Sequence, residues 1–235
     1  LSVSRNTGQR KRSARSKARA AHASLAAGRT QSPPAPGLPA LRERLSGWYA
    51  SRFGLDIAPE RIVITAGASA ALQLITLALF QAGDEVLMPD PSYPCNRHFV
   101  AATGARARLL PAGPAQRFQL DAASVRAAWR PATRGVLLAS PSNPTGTSID
   151  RAQMRAIVEA VRQQGGTTIV DEIYLGLSYD AAYGHSALEL GEDVISVNSF
   201  SKYFSMTGWR LGWLVLPPAL VGPVERLAQN LYICA

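Results

Sequence analysis

The sequence is poor in histidine, cysteine and aromatic residues, and each shortage narrows the chemistry open to it. Its 235 residues include two cysteines, Cys95 and Cys234, and three histidines, His22, His98 and His185. Two cysteines without metal-type spacing argue against a disulfide scaffold and favour a reducing, cytoplasmic setting. The histidines are scattered and suit surface or packing positions better than ligation, so no metal site is expected. No apolar run reaches the ~18 residues a membrane span requires. The nearest stretch, Ala68 to Phe80, reads as a buried helix, and a soluble protein without membrane partners is expected.

Acid is missing from the first 42 residues, and this explains the net charge of +9. Nine of the 25 basic residues precede the first acid, Glu43, and the remaining 16 balance the chain's 16 acids. The basic excess therefore belongs to one end of the chain and not to the globular part, so a nucleic-acid partner is not expected. Residues 1–20 read as a solvated, disordered basic tail, and 21–235 as the folded domain. A short helix is expected at Ala21–Ala27, stopped by Gly28. The acid-free, Arg- and Ala-rich start also resembles an organelle transit peptide, and a chain that begins at Leu1 reads as a fragment or a processed product.

Beyond that end, the pattern is an alternation of strands and helices. RIVIT, DEVLM, ARARLL, GVLLAS, TTIVDE, DVISVN and RLGWLVL read as strands. Helices are expected from Leu41, over Ala68–Phe80, near Asn96–Thr103, over Asp121–Trp129, over Asp150–Gln164 and from Ala219 to Tyr232. Nearly continuous apolar strands separated by helices predict an α/β fold, a mostly parallel sheet with helices on both faces. Ligands of such sheets bind beyond the carboxyl ends of the strands. Gly67–Ser69, Tyr93, Asn143, Asp171 and Lys202 each fall at or just after a strand end, so five polar elements are expected to converge on one edge.

Lys202, in SFSKYFSMTGWR, is a candidate nucleophile: a lysine past a buried strand is partly desolvated and attacks carbonyl carbons. Arg210, eight residues on, is a fixed-charge forked donor suited to phosphate, and Ser199 and Ser201 add hydroxyls. An amine for an aldehyde beside donors for a phosphate is what pyridoxal 5′-phosphate (PLP) needs. Asp171 ends an apolar strand, where an unpaired carboxylate is costly, and a pyridinium N–H would be a fitting partner. A helix cap or a surface ion pair would also account for it. Tyr174 and Asn143 have donors for the phenolate oxygen of such a ring, although Asn143-Pro144 is also an ordinary turn dipeptide. Gly67, Ala68 and Ser69 open a helix whose free N–H groups favour an anion, and small residues there equally serve close packing. Tyr93 has a ring able to stack on a flat heteroaromatic, or to pack.

Taken together, TAGASAAL, DPSYP, SPSNPTG, DEIY and SFSKYFSMTGWRLGW resemble the class I/II aminotransferases of PLP fold type I, in that family's order and spacing, from about Ala21 to Ala235. The resemblance implies the large, PLP-binding domain of such an enzyme, with an amino acid and a 2-oxo acid as substrates. It implies that Lys202 carries PLP as a Schiff base, that Asp171 pairs with the pyridine nitrogen, and that Tyr174 and Asn143 bond the phenolate oxygen. It also implies that Tyr93 stacks on the ring, that Ala68, Ser69, Ser199 and Arg210 hold the phosphate, and that the protein is a homodimer. Two departures stand out. Ser32 occupies the position of a family tyrosine that reaches the partner subunit, and no residue matches the small C-terminal domain. A PLP-dependent lyase on the same fold, a non-catalytic fragment and an aminotransferase-like regulator are the alternative readings.

Overall fold

The structure, a computed structural model, describes residues 3–235, with side-chain surroundings from residue 14. The chain divides into two compact units, residues 1–33 and Pro34–Ala235. The first unit is one helix, α1 (Val3–Ala26), closed by a turn in which Gly28 adopts φ +66°. From Val3 to Ala20 the expected disorder gives way to helix, continuous with the short helix expected at Ala21–Ala27, because Arg, Lys, Gln and Ala, all strong helix formers, dominate residues 9–26. The boundary then falls at Pro33–Pro34 instead of residue 20, where SPPAP removes backbone donors and ends regular structure. Leu1 and Ser2 lie outside the described residues.

In the second unit, strands and helices alternate as the apolar pattern requires. The order is α2 (Pro39–Phe53), β1 (Ile62–Thr65), α3 (Ala68–Leu79), β2 (Glu85–Asp90), α4 (Pro94–Ala101), β3 (Arg106–Pro111), α5 (Ala122–Ala128), β4 (Thr133–Ala139), α6 (Arg151–Gln163), β5 (Thr167–Asp171), β6 (Ile195–Ser199), β7 (Gly212–Val215) and α7 (Pro218–Tyr232). Local chemistry sets several boundaries. Asp121 and Asp150 accept from the N–H groups of Ser124 (2.7 Å) and Gln153 (2.8 Å), capping α5 and α6. Gly54 closes α2 in the left-handed conformation.

The seven strands form one sheet in the order β1-β7-β6-β5-β4-β2-β3. β7 pairs antiparallel with both neighbours, and the other strands run the same way. Side-chain alternation splits the core in two. Val63, Val86, Met88, Leu137, Ile169, Ile195, Val197 and Leu214 face α3, α4 and α7. Leu87, Val136, Leu138 and Val170 turn the other way onto α5 and α6, and Ile62, Ile64, Trp213 and Val215 onto α2. With both faces covered, the polar groups of the strand ends have only the sheet edge left to occupy.

Candidate active site

β1, β2, β4, β5 and β6 all deliver their carboxyl ends to one edge, and a cleft of about 160 Å³ opens there. Its wall includes Ala68, Ser69, Tyr93, Asn143, Asp171, Tyr174, Lys202 and Arg210. Residues drawn from five separate segments thus meet as the alternation pattern requires. Ser201, Thr207, Ile173, Leu72, Ala139 and Pro141 complete the lining.

Asp171 closes β5 and is 6% exposed. Its Oδ1 accepts the Ile173 N–H at 3.0 Å, and among the described residues no donor is placed on its other oxygen. Burial pushes its carboxyl up to about 6, with the Ile173 N–H pulling the other way. An acid that is buried, facing a cleft and short of donors has capacity to spare for a cationic N–H.

Lys202 follows β6 in a turn closed by Ser205 N–H to the Lys202 carbonyl and by Met206 N–H to the Phe200 carbonyl, both 3.0 Å. Its neighbours are pinned behind the cleft. The Phe200 ring lies 4.8 Å from Trp213, and that of Phe204 5.6 Å from Trp48 on α2. With the flanking rings held by packing, the lysine is left to the cleft, where its Nζ sits 5.9 Å from the centre of the Tyr174 ring.

The anion side of the cleft is a contact between Gly67 and Arg210. Gly67 precedes α3 with φ +89°, and no side chain caps that helix. A Cβ on Gly67 would stand 2.7 Å from the Arg210 guanidinium, so only glycine leaves that group its place. Arg210 is itself left-handed, with φ +52°, and donates to the Thr207 carbonyl at 3.0 Å. Ser69 is exposed at the head of α3, beside Ala68.

Two expected contributors stand behind the wall. Gly67 acts through its backbone and its missing side chain. Ser199 is fully buried, with a hydroxyl that faces Ser201 Oγ (2.9 Å) and the Leu211 carbonyl (3.0 Å), so Ser201 is the serine that lines the cleft. The residue sequence reasoning passed over is Thr207, whose Oγ1 donates to the Ser201 carbonyl at 2.9 Å. Its signal was its place three residues before Arg210, in the turn that both serve.

Behind Asp171 lies a second carboxylate. Glu172 is 1% exposed and saturated: the Ala187 N–H (2.7 Å) and the hydroxyls of Ser186 (2.9 Å) and Ser196 (2.6 Å) all donate to it. Burial pushes it up to about 7, while these bonds oppose the shift and the charge of Asp171 adds to it.

Comparison with known proteins gives one consistent answer. The family model for aminotransferase class I and II matches residues 1–235. The valine–pyruvate aminotransferase of Mycobacterium tuberculosis is 43% identical over 199 residues, covering 84% of this chain and 51% of that protein. The arginine–pyruvate transaminase of Pseudomonas aeruginosa is 36% identical over 207 residues, 87% of this chain and 53% of that one. The crystal structure of an aminotransferase from M. tuberculosis superposes with a TM-score of 0.88 at 42% identity, over 92% of this chain and 56% of that chain. Thermus thermophilus aspartate aminotransferase with maleate gives 0.87 at 29%, over 92% and 56%. The chain spans about half the length of the curated relatives it matches.

Proposed function

This chain belongs to the class I and II aminotransferase family, and from that membership we propose that it provides the cofactor-binding face of a PLP-dependent aminotransferase, exchanging an amino group between an amino acid and a 2-oxo acid. The observation that carries the reading is one cleft holding an amine, a buried carboxylate short of donors and an anion cradle that a Cβ would fill. These three groups fit the aldehyde, the ring nitrogen and the phosphate of PLP.

When bound, PLP supplies an aldehyde that accepts amino groups and a ring that withdraws electrons. Arg210, the Ser201 hydroxyl and the N–H groups of Ala68 and Ser69 would hold its phosphate. Asp171 would accept from the ring N–H, and that cation would reverse the effect of burial and keep the carboxylate ionised. The Tyr174 hydroxyl and the Asn143 amide would donate to the ring oxygen, and Tyr93 would cover a ring face. The Lys202 amine would hold the aldehyde end of the cofactor and would serve as the base that moves a proton at the substrate α-carbon.

The same reading takes the protein as a cytoplasmic homodimer. The unpaired Cys95 and Cys234 suit a reducing compartment, and exposed Leu38, Tyr179 and Trp209 offer apolar surface for a second copy, which sedimentation velocity would detect. The decisive experiment for the cofactor is borohydride reduction in the presence of PLP, followed by peptide mapping. A pyridoxyl label on Lys202 is expected. A label on another lysine, or none, overturns the proposal.

A further inference from the structure

Asn143 stands at the tip of the loop that joins β4 to α6, and loop tips are ordinarily the least ordered part of a fold. Here the two limbs of the loop are tied together from outside. Gln119 is 1% exposed, and its Nε2 donates to the Ala139 carbonyl at 3.1 Å and the Thr147 carbonyl at 3.0 Å. Ala139 is the last residue of β4, and Thr147 lies on the returning limb. Both carbonyls can accept only, so the orientation of the amide is set by its partners. Within the loop, Ser142 N–H donates to the Thr147 carbonyl (2.9 Å) and Ile149 N–H to Ser140 Oγ (3.0 Å).

Two features show that Gln119 is held there at a cost. Its Oε1 is buried without a partner, an expense a packing residue of the same size would avoid. The two residues before it, Arg117 and Phe118, are both left-handed, with φ +53° and +57°, a conformation that non-glycine residues rarely take, let alone in succession. Such strain persists where the surroundings impose it and marks segments that position functional groups. Arg117 anchors the turn by stacking its guanidinium 4.7 Å over the Tyr183 ring and donating to the Tyr183 hydroxyl.

We propose that Gln119 is a positioning residue for Asn143: its amide staples the limbs of the 139–147 loop and thereby fixes the donor that Asn143 presents to the cleft. The inference rests on the PLP reading above for what Asn143 meets, but not for the staple itself.

The test uses the full chain with two variants. Gln119→Glu keeps the shape and sets a carboxylate against two carbonyls. Gln119→Met keeps the length and removes both the donor and the orphaned oxygen, so relief of the second offsets part of the loss of the first. In both, amide hydrogen exchange of Ser142, Gly146 and Thr147 should quicken about tenfold while β5 and β6 keep their rates, the loss expected for a local buried hydrogen bond. In the PLP-loaded chain, the pH midpoint of the visible band should move upward, because a weakened donor leaves negative charge on the ring oxygen less stabilised. Asn143→Ala should give the same direction of shift, and the Gln119→Met/Asn143→Ala pair no further shift. Unchanged loop exchange in Gln119→Met overturns the staple. A midpoint that moves with Asn143→Ala and not with Gln119→Met overturns the link to Asn143. A chain that shows no visible band with PLP speaks against the cofactor reading, and loop exchange then decides the staple alone.

Discussion

Asp171 and Glu172 are neighbours on one strand end, both carboxylic, both buried and both pushed upward by burial, yet their surroundings are opposite. Glu172 faces into the fold and receives three donors. Asp171 faces the cleft and receives one. Pleating places successive side chains on opposite faces, so a single step along the chain separates a tie that joins β5, β6 and the Ser186–Ala187 turn from a group with room for a ligand. Burial alone therefore does not mark a functional acid. The count of donors around it separates a satisfied acid from one with room for a ligand.

The largest effect that would sharpen this contrast is one of pH. Both acids have folded values above their ordinary ones, about 6 against 3.8 for Asp171 and about 7 against 4.5 for Glu172. Between about pH 4 and 7 the folded chain therefore holds more protons than the unfolded chain, and stability is lost as pH rises through that window, by roughly 3 kcal/mol for each group if each stands alone. PLP should return the share of Asp171 and not that of Glu172. Melting curves with and without PLP should show a larger stabilisation at pH 7.5 than at pH 5, and equal stabilisation at both would break the contrast.

Substitution separates the two acids next. Asp171→Asn should weaken PLP binding by about 100-fold, the loss of a charge-assisted hydrogen bond in a dry site, and, because it removes a buried charge, leave the PLP-free chain at neutral pH at least as stable as before. Glu172→Gln should do the reverse, with PLP affinity kept within about threefold and stability reduced by about 1–3 kcal/mol, because the amide sets an N–H donor against the donors that its two oxygens now receive. Absorbance titration and urea unfolding read the two quantities. Equal losses of affinity would show that the division of roles is wrong.

The smallest effect contrasts the two edges of the sheet. Gly67 and Gly83 have nearly the same dihedral, φ +89° and +92°, but only Gly67 has a neighbour in the way of a Cβ. Alanine at either position should cost about 1 kcal/mol through backbone strain. Only Gly67→Ala should also weaken PLP, by about tenfold, because it displaces Arg210. A comparable loss of affinity in Gly83→Ala would remove the reason for that glycine.

Much of this was legible in the sequence. Apolar runs of strand length, separated by helical spacing, placed all seven strands and the helices between them to within a few residues, because both faces of the sheet are covered and the inner strands must be largely apolar along their length. Asp171, Asn143, Tyr174, Lys202 and Arg210 could be singled out because each is a polar residue of marked chemistry just beyond such a run. Residues without that contrast escaped. Thr207 lines the cleft but looks like any turn threonine. Gln119 reaches across 20 and 28 residues to its carbonyls, and no local pattern announces a staple of that span. The serine pair was resolved only by pleat and turn geometry, which turns Ser199 inward and Ser201 to the wall. Of the helix over Val3–Ala26 only the last turns, at Ala21–Ala27, were expected, because charge without an apolar face was read as a solvated tail over residues 1–20, whereas intrinsic propensity favours helix there.

What the order of residues settled unaided is the class of fold and the edge on which its chemistry gathers, since hydrophobic period and strand ends are written locally along the chain. What required the folded chain is which polar groups are left incomplete. Asp171 and Glu172 are adjacent carboxylic acids in sequence, and only the donors brought from Ser186, Ala187 and Ser196 make one of them a structural tie and leave the other open to a ligand. Satisfaction of a buried charge depends on residues distant along the chain, and tertiary packing alone decides where they arrive.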